Sequence, residues 1–199
     1  MIKLARRRRG FCFRIAAGYI CFCMQTVMKN EIAAGTCGMP IPTPDGEFIA
    51  RYSRQGLCGL EFPSGAKRRK SEVGAAAPAA RIRRWHAAAS KALRLALAGR
   101  PPGRLPPLDL SGGTEFQQRV WRALRKIAGG RTWSYGQVAQ AIGSPKAVRA
   151  VGGACGANPI PVFVPCHRVL AANSGLGGFS GGLNWKRALL KREGIRLPD

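Results

Sequence analysis

Pro165-Cys166-His167-Arg168-Val169 places a thiol directly before an imidazole. A free cysteine, with a pKa of about 8.5, is only a few per cent thiolate at neutral pH. An adjacent imidazole, or a water bridged by it, lowers that pKa and takes the proton. The imidazole in turn needs a third group to orient it and stabilise its charge. Beyond residue 113 only Glu115, Glu193 and Asp199 are acidic, and Glu193 is the candidate. Cys166 is therefore a candidate nucleophile and His167 its base. The same residues also fit a buried structural cysteine beside a capping histidine.

Other thiol chemistry is poorly supplied. The seven cysteines (Cys12, Cys21, Cys23, Cys37, Cys58, Cys155 and Cys166) are odd in number and irregular in spacing. That argues against a disulfide scaffold and for reduced thiols in a cytoplasmic protein. His86 and His167 are the only histidines. Cys21-Phe22-Cys23 is a weak metal signal, so no metal and no cofactor is expected.

The 199 residues carry 33 Lys and Arg against 9 Asp and Glu, a formal charge of +24. A field of that sign favours a polyanion, most simply a nucleic acid. It is not confined to a tail, because basic residues from Arg119 to Arg196 are spread through the best-patterned region. No apolar run is long enough for a membrane-spanning helix.

The elements that must position Cys166 can be placed from their boundaries. Thr114 caps a helix with Phe116, Val120, Trp121, Leu124 and Ile127 at helical spacing, stopped by Gly129-Gly130. Ser134 caps a second, Tyr135 to Ile142, closed by Gly143. Ser144-Pro145 is expected to open a third, with Pro at its first position. Short helices joined by a Gly-containing turn form a helix-turn-helix. The third helix has a face of Ala147, Ala150, Gly152, Gly153, Ala154 and Gly156, with Arg149 its long cation. Such a face suits either tight helix packing or close approach to a nucleic-acid groove read by shape. Asn158 to Val164, an apolar run set by prolines, then delivers Cys166, and a glycine-rich loop follows from Gly175 to Gly182.

Upstream, residues 41–63 read as a β-hairpin, Pro63 to Ala80 as a basic linker containing Lys67-Arg68-Arg69-Lys70, and Arg81 to Leu97 as an amphipathic helix. Arg6 to Arg9 and the interrupted apolar stretch Phe11–Met24 superficially resemble a signal peptide; a translation start at Met24 or Met28 is the plainer expectation. Three segments result: an atypical extension (1–40), an N-terminal α/β domain with its linker (41–110), and a C-terminal acceptor domain (111–199).

Pro165 to Val169, Phe116 to Trp121, Ser134 to Ala139, Ala147 to Gly153, Asn158-Pro159, and Ser180 to Leu183 through Glu193-Gly194 occur in the order found in one family. The chain resembles the O6-alkylguanine-DNA alkyltransferases, densely over residues 114–195 and loosely over 43–63. The resemblance implies an α+β fold: a small ribonuclease H-like N-terminal domain, and a helical C-terminal domain with a winged-helix-like helix-turn-helix. It implies a monomer that repairs double-stranded DNA containing O6-alkylguanine, with O4-alkylthymine a further candidate substrate. The alkyl group would move irreversibly to Cys166 after base flipping, once per molecule.

The same resemblance assigns roles. His167, through a water, is the base, with Glu193 its partner. Asn158 braces the turn before the active-site strand, and Tyr135 crowds the target phosphate and hydrogen-bonds the guanine ring. Arg149 fills the gap left by the flipped nucleotide, with Ala147, Gly152 and Arg168 as further DNA contacts. Pro161, Val169, Gly177 and Ser180 line the base pocket, and Lys186 closes it. Phe179 stands where many relatives have Tyr, and Asn173-Ser174 alters the loop. Three other readings use fewer of these features: a lesion-binding relative without chemistry, which would lack the cysteine; a cysteine peptidase; and a helix-turn-helix repressor.

Overall fold

The computed structural model describes residues 36–63, 78–171 and 175–197. The basic start, the linker cluster at 67–70 and Asn173-Ser174 lie outside the described residues. Among those described, three strands come first: β1 (Cys37–Thr43), β2 (Gly46–Tyr52) and β3 (Leu57–Glu61), in an antiparallel sheet of order β1-β2-β3. A two-residue turn joins β1 to β2, since Thr43 pairs with Gly46. The expected hairpin is therefore a three-stranded meander, and it begins at Cys37, so Cys37–Pro40 belong to the sheet rather than to the N-terminal extension. The departure has a simple cause: Pro40 and Pro42 sit on an edge strand, where a missing N–H is tolerated.

Helix α1 (Ala80–Leu97) lies on this sheet and buries Ala89, Ala92, Leu93 and Leu97, an i, i+3, i+4, i+8 stripe. Helix α2 (Glu115–Leu124) and helix α3 (Tyr135–Ala141) each begin with a capping box. Thr114 Oγ1 accepts from the Gln117 N–H, and Gln117 Oε1 accepts from the Thr114 N–H. Ser134 and Gln137 repeat the pattern, at 3.1 and 2.7 Å. Each box satisfies donors that a helix start leaves unpaired. Helix α2 ends at Leu124, before Gly129-Gly130, because tighter i→i+3 bonds take over from Lys126 N to Ala123 O and Ile127 N to Leu124 O. Ile127 remains fully in the core.

Gly143 closes α3 with φ +67, a left-handed conformation that glycine adopts without a Cβ penalty. Its N–H bonds Gln140 O and the next N–H, of Ser144, bonds Ala139 O, a Schellman closure. Helix α4 (Val148–Gly156) then starts three residues later than Ser144-Pro145 leads one to expect. Ser144 and Pro145 occupy the first two positions of a turn closed by Ala147 N to Ser144 O, and Pro suits the second position of such a turn. The Ser144 hydroxyl receives a contact from Arg119 instead of capping a helix.

Trp121 on α2 donates its indole N–H to Ala154 O on α4, locking the two helices. After α4 come a 3-10 turn (Cys166–Arg168), β5 (Val169–Leu170) and helix α5 (Leu183–Arg192). Strand β5 pairs in parallel with β4 (Trp133–Ser134), immediately before α3. One continuous hydrophobic core runs from Ile41 and Phe48 through Leu93 and Trp121 to Val169 and Leu189. Among the described residues no helix is long and apolar enough to cross a membrane.

Candidate active site

Cys166 opens the 3-10 turn rather than lying on a strand, and only 3% of it is exposed. The segment that delivers it is strained, because Val162 has φ +75. A β-branched residue in that region costs on the order of 1–3 kcal/mol and needs surroundings that enforce it. Asn158 supplies them. Its Oδ1 accepts from the Ile160 N–H at 3.1 Å, and its Nδ2 donates to Val164 O at 2.7 Å, clamping the turn at both ends. The same Nδ2 lies 3.0 Å from Cys166 Sγ. Asn158 thus braces the turn and fixes the thiol together.

Burial pushes the Cys166 thiol up to about 11, and the Asn158 hydrogen bond and the Lys186 charge only partly oppose it. The expectation that the neighbouring imidazole holds the resting cysteine at low pKa is therefore corrected. At neutral pH the group is a thiol, since desolvation disfavours the charged form.

His167 follows, with 1% exposure. Its Nε2 is 3.0 Å from Glu193 Oε1. Glu193 is also held by Arg168, whose Nε reaches Oε2 at 2.9 Å and whose Nη2 reaches Oε1 at 2.8 Å. Although burial alone would raise the Glu193 carboxyl, His167 and Arg168 bring it down to about 2. An ionised carboxylate accepts only, so Nε2 must carry the proton and Nδ1 the lone pair. Burial lowers the His167 pKa below its ordinary 6.5 despite Glu193, so the ring is neutral at pH 7. Nδ1 is buried with no protein partner. The site thus holds a neutral thiol beside a neutral imidazole whose tautomer is set for accepting a proton.

Arg168, expected among the DNA contacts, turns inward instead. Its remaining Nη1 donates to Ile127 O at 2.6 Å, so all three guanidinium nitrogens have partners within the protein. Lys186 is fully buried, with Nζ donating to Val169 O at 2.6 Å and to Leu176 O. Burial lowers its pKa. It ties the strand after the acceptor to the glycine-rich loop. Lys186→Met should leave two carbonyls unpaired and lower stability by roughly 2–4 kcal/mol. Thermal or urea unfolding checks this, and an unchanged midpoint would refute the tie.

Tyr135 stands at the start of α3, between α4 and the loop. A Cβ on Gly177, where φ is +61, would sit 2.7 Å from its hydroxyl, and one on Gly152 would sit 3.9 Å from its ring. Glycine at 177 is thus required by both backbone and space. Pro161 and Val169 are buried on either side of Cys166 in the sequence, while Gly177 and Ser180 are exposed on the loop. Arg149 and Ala150 are exposed on α4, whereas Ala147 and Gly152 are half-buried. The buried face of α4, with Val151, Ala154 and Cys155, shares one core with Cys166, while Arg149 and Ala150 face outward.

Sequence reasoning missed the Arg168–Glu193 fork and every tie from the N-terminal sheet. Leu60 N donates to Pro159 O at 2.8 Å, and Asp45 accepts both ends of Arg192 at 2.9 and 2.6 Å. These partners lie far apart along the chain, and no local pattern announces them.

Residues 115–195 match the family described as 6-O-methylguanine DNA methyltransferase, DNA binding domain. A methylated-DNA–protein-cysteine methyltransferase of Mycobacterium bovis is 58% identical over 91 residues, 46% of this chain and 54% of the relative. The match thus spans about half the length of that relative. A crystal structure of the Mycobacterium tuberculosis O6-methylguanine methyltransferase aligns at 37% identity over 82% of this chain and 95% of that one, with a TM-score of 0.64. The Mycobacterium tuberculosis OGT in complex with DNA aligns at 39% identity over 80% and 92%, with a TM-score of 0.65. The mixed α/β architecture is shared at that coverage, and the chain belongs to the 6-O-methylguanine DNA methyltransferase family.

Proposed function

We propose that the protein is a DNA repair alkyltransferase, a methylated-DNA–protein-cysteine methyltransferase that moves the alkyl group of O6-alkylguanine onto Cys166. The observation that carries this reading is the Asn158–Cys166, His167–Glu193 constellation: a fixed thiol next to a buried neutral imidazole with a free lone pair on Nδ1. The thiol proton passes to His167, through a water, as sulfur attacks the alkyl carbon in line. The S–C bond forms, the C–O6 bond breaks, and the proton balance closes on the guanine that leaves. Making the thiolate only as it is consumed agrees with a resting thiol held at about 11. A thioether offers no easy return, so each molecule acts once.

The partner is double-stranded DNA, met by a chain of +24 formal charge. A thiol this buried cannot reach a base inside a duplex, so the nucleotide leaves the stack at a cost of a few kcal/mol. Arg149, exposed on α4, fills the gap, and the small residues around it admit the groove. Tyr135 meets the target phosphate and the guanine ring. Pro161, Val169, Gly177 and Ser180 line the base pocket. In this reading the helix-turn-helix is winged-helix-like, the N-terminal sheet with α1 is a ribonuclease H-like domain reaching to about residue 110, and the acceptor domain follows. The protein works as a cytoplasmic monomer without a cofactor, and O4-alkylthymine is a further candidate substrate.

Intact mass after incubation with duplex DNA containing O6-methylguanine tests the proposal. The expected result is a gain of one methylene equivalent per protein, mapped to Cys166 and absent from Cys166→Ala. No gain with duplex binding intact would replace it by a lesion-binding protein without repair chemistry.

A further inference from the structure

Phe62 follows β3 directly, and its ring reaches into the candidate site's glycine-rich loop. A Cβ on Gly181 would lie 2.6 Å from two atoms of that ring, so the ring rests against the loop backbone. It also meets Phe179 at 5.5 Å between centroids, tilted 69°. Phe179 in turn stands edge-on to His167 at 6.4 Å and 85°. Behind Phe62, Trp185 at 4.9 Å and Phe48 at 5.4 Å hold it against α5 and β2. Phe62 is thus a side chain through which the end of the sheet touches both the loop and the ring beside the base. The other two ties act elsewhere: Leu60 N holds Pro159 through backbone alone, and the Asp45–Arg192 pair is about 30% exposed, where ion pairs contribute little.

We propose that Phe62 is a positioning residue for alkyl transfer: it fixes the loop through Gly181 and holds Phe179 against His167, so that the N-terminal sheet sets the shape of the base pocket. The inference rests on the alkyltransferase reading. Edge-to-face rings have preferred geometry, so an aliphatic replacement keeps apolar volume and loses the angle. A loop displaced by about 1 Å at the reacting centre can cost on the order of 100-fold in rate. The effect belongs to the chemical step, because Phe62 touches the loop at Gly181 and the Phe179 ring beside His167, and not α4, where the groove contacts are proposed.

The test is single-turnover transfer with saturating duplex O6-methylguanine, beside duplex affinity, for wild type, Phe62→Leu and Phe62→Ala. Free O6-benzylguanine, whose benzylic carbon is open to attack without any DNA contact, is the second substrate. Phe62→Leu guards against a variant that fails to fold, and melting confirms its folded state. The expected result is a rate about tenfold lower for Leu and lower still for Ala, on both substrates, with duplex affinity within about twofold of wild type. A Leu variant at the wild-type rate would overturn the inference. So would a loss seen on the duplex alone, or one that tracks affinity. Failure of wild type itself to accept an alkyl group would sink the underlying reading instead, so the two failures are distinguishable.

Discussion

Replacing His167 with alanine is expected to slow alkyl transfer by about 10²–10⁴-fold while leaving duplex affinity unchanged. The size follows from the resting state of the site. Burial pushes Cys166 up to about 11, so almost no thiolate exists at neutral pH without a base. His167 is the neutral group next to it, its Nε2–H committed to Glu193 and its Nδ1 lone pair unpartnered. The pH profile carries the same signature. Burial lowers the His167 pKa below 6.5 in the folded protein. The neutral base is therefore fully present above 6.5, and the rate should fall as pH drops through the lowered value. No gain from free thiolate is expected until pH approaches about 11. His167→Ala should lose the acid limb along with the rate. Single-turnover rates across pH 5 to about 9 check both points, and an acid limb that survives in the alanine variant would show that another group is the base.

Glu193→Gln should combine a rate loss of about 100-fold or more with a large loss of stability, roughly 3 kcal/mol. Glu193 receives His167, two nitrogens of Arg168 and, at 3.4 Å, the Gly130 N–H. A neutral amide leaves the half-buried guanidinium without its counter-charge, and it no longer dictates which imidazole nitrogen is protonated. The pH dependence has a definite sign. The folded carboxyl titrates at about 2, against 4.5 for an ordinary glutamate. The depressed value means that its contribution is present above pH 4.5 and is lost as pH falls from 4.5 towards 2. By linkage that contribution is on the order of 3 kcal/mol. Urea unfolding of both proteins should therefore show a gap that is widest at neutral pH and shrinks across this acid window. A gap independent of pH would mean that the carboxylate charge is not what holds the site together.

Much of this arrangement is legible without coordinates wherever the interaction is local. Thr114 with Gln117, and Ser134 with Gln137, are capping boxes closed within four residues, so their positions announce α2 and α3. Gly143 marks the turn between α3 and α4 for the same reason. Adjacency alone couples Cys166 to His167, and the scarcity of acids beyond residue 113 singles out Glu193 as the third member. The family resemblance over residues 114–195 rests on such local motifs too, and the matched family covers 115–195.

Local signals fail where two local preferences compete. Pro145 fits a helix start and a turn equally well, and the Schellman closure at Gly143 takes the residues that a Ser144 cap would need. Likewise the prolines of β1 hide a strand whose identity comes from pairing with β2.

Which residues can do the chemistry, their order along the chain and most of the helices that carry them follow from residue type and local spacing. Their protonation states and partners follow from packing. Whether Cys166 rests as thiol or thiolate depends on desolvation, which is set by everything packed around it. Arg168 could reach DNA or Glu193, and only folding α5 against the 3-10 turn chose the carboxylate. Phe62, Asp45 and Leu60 bear no motif, because their partners Phe179, Arg192 and Pro159 are brought to them by the closing of one shared core. Side-chain chemistry is a property of the residue, whereas burial and distant partnership are properties of the packed chain.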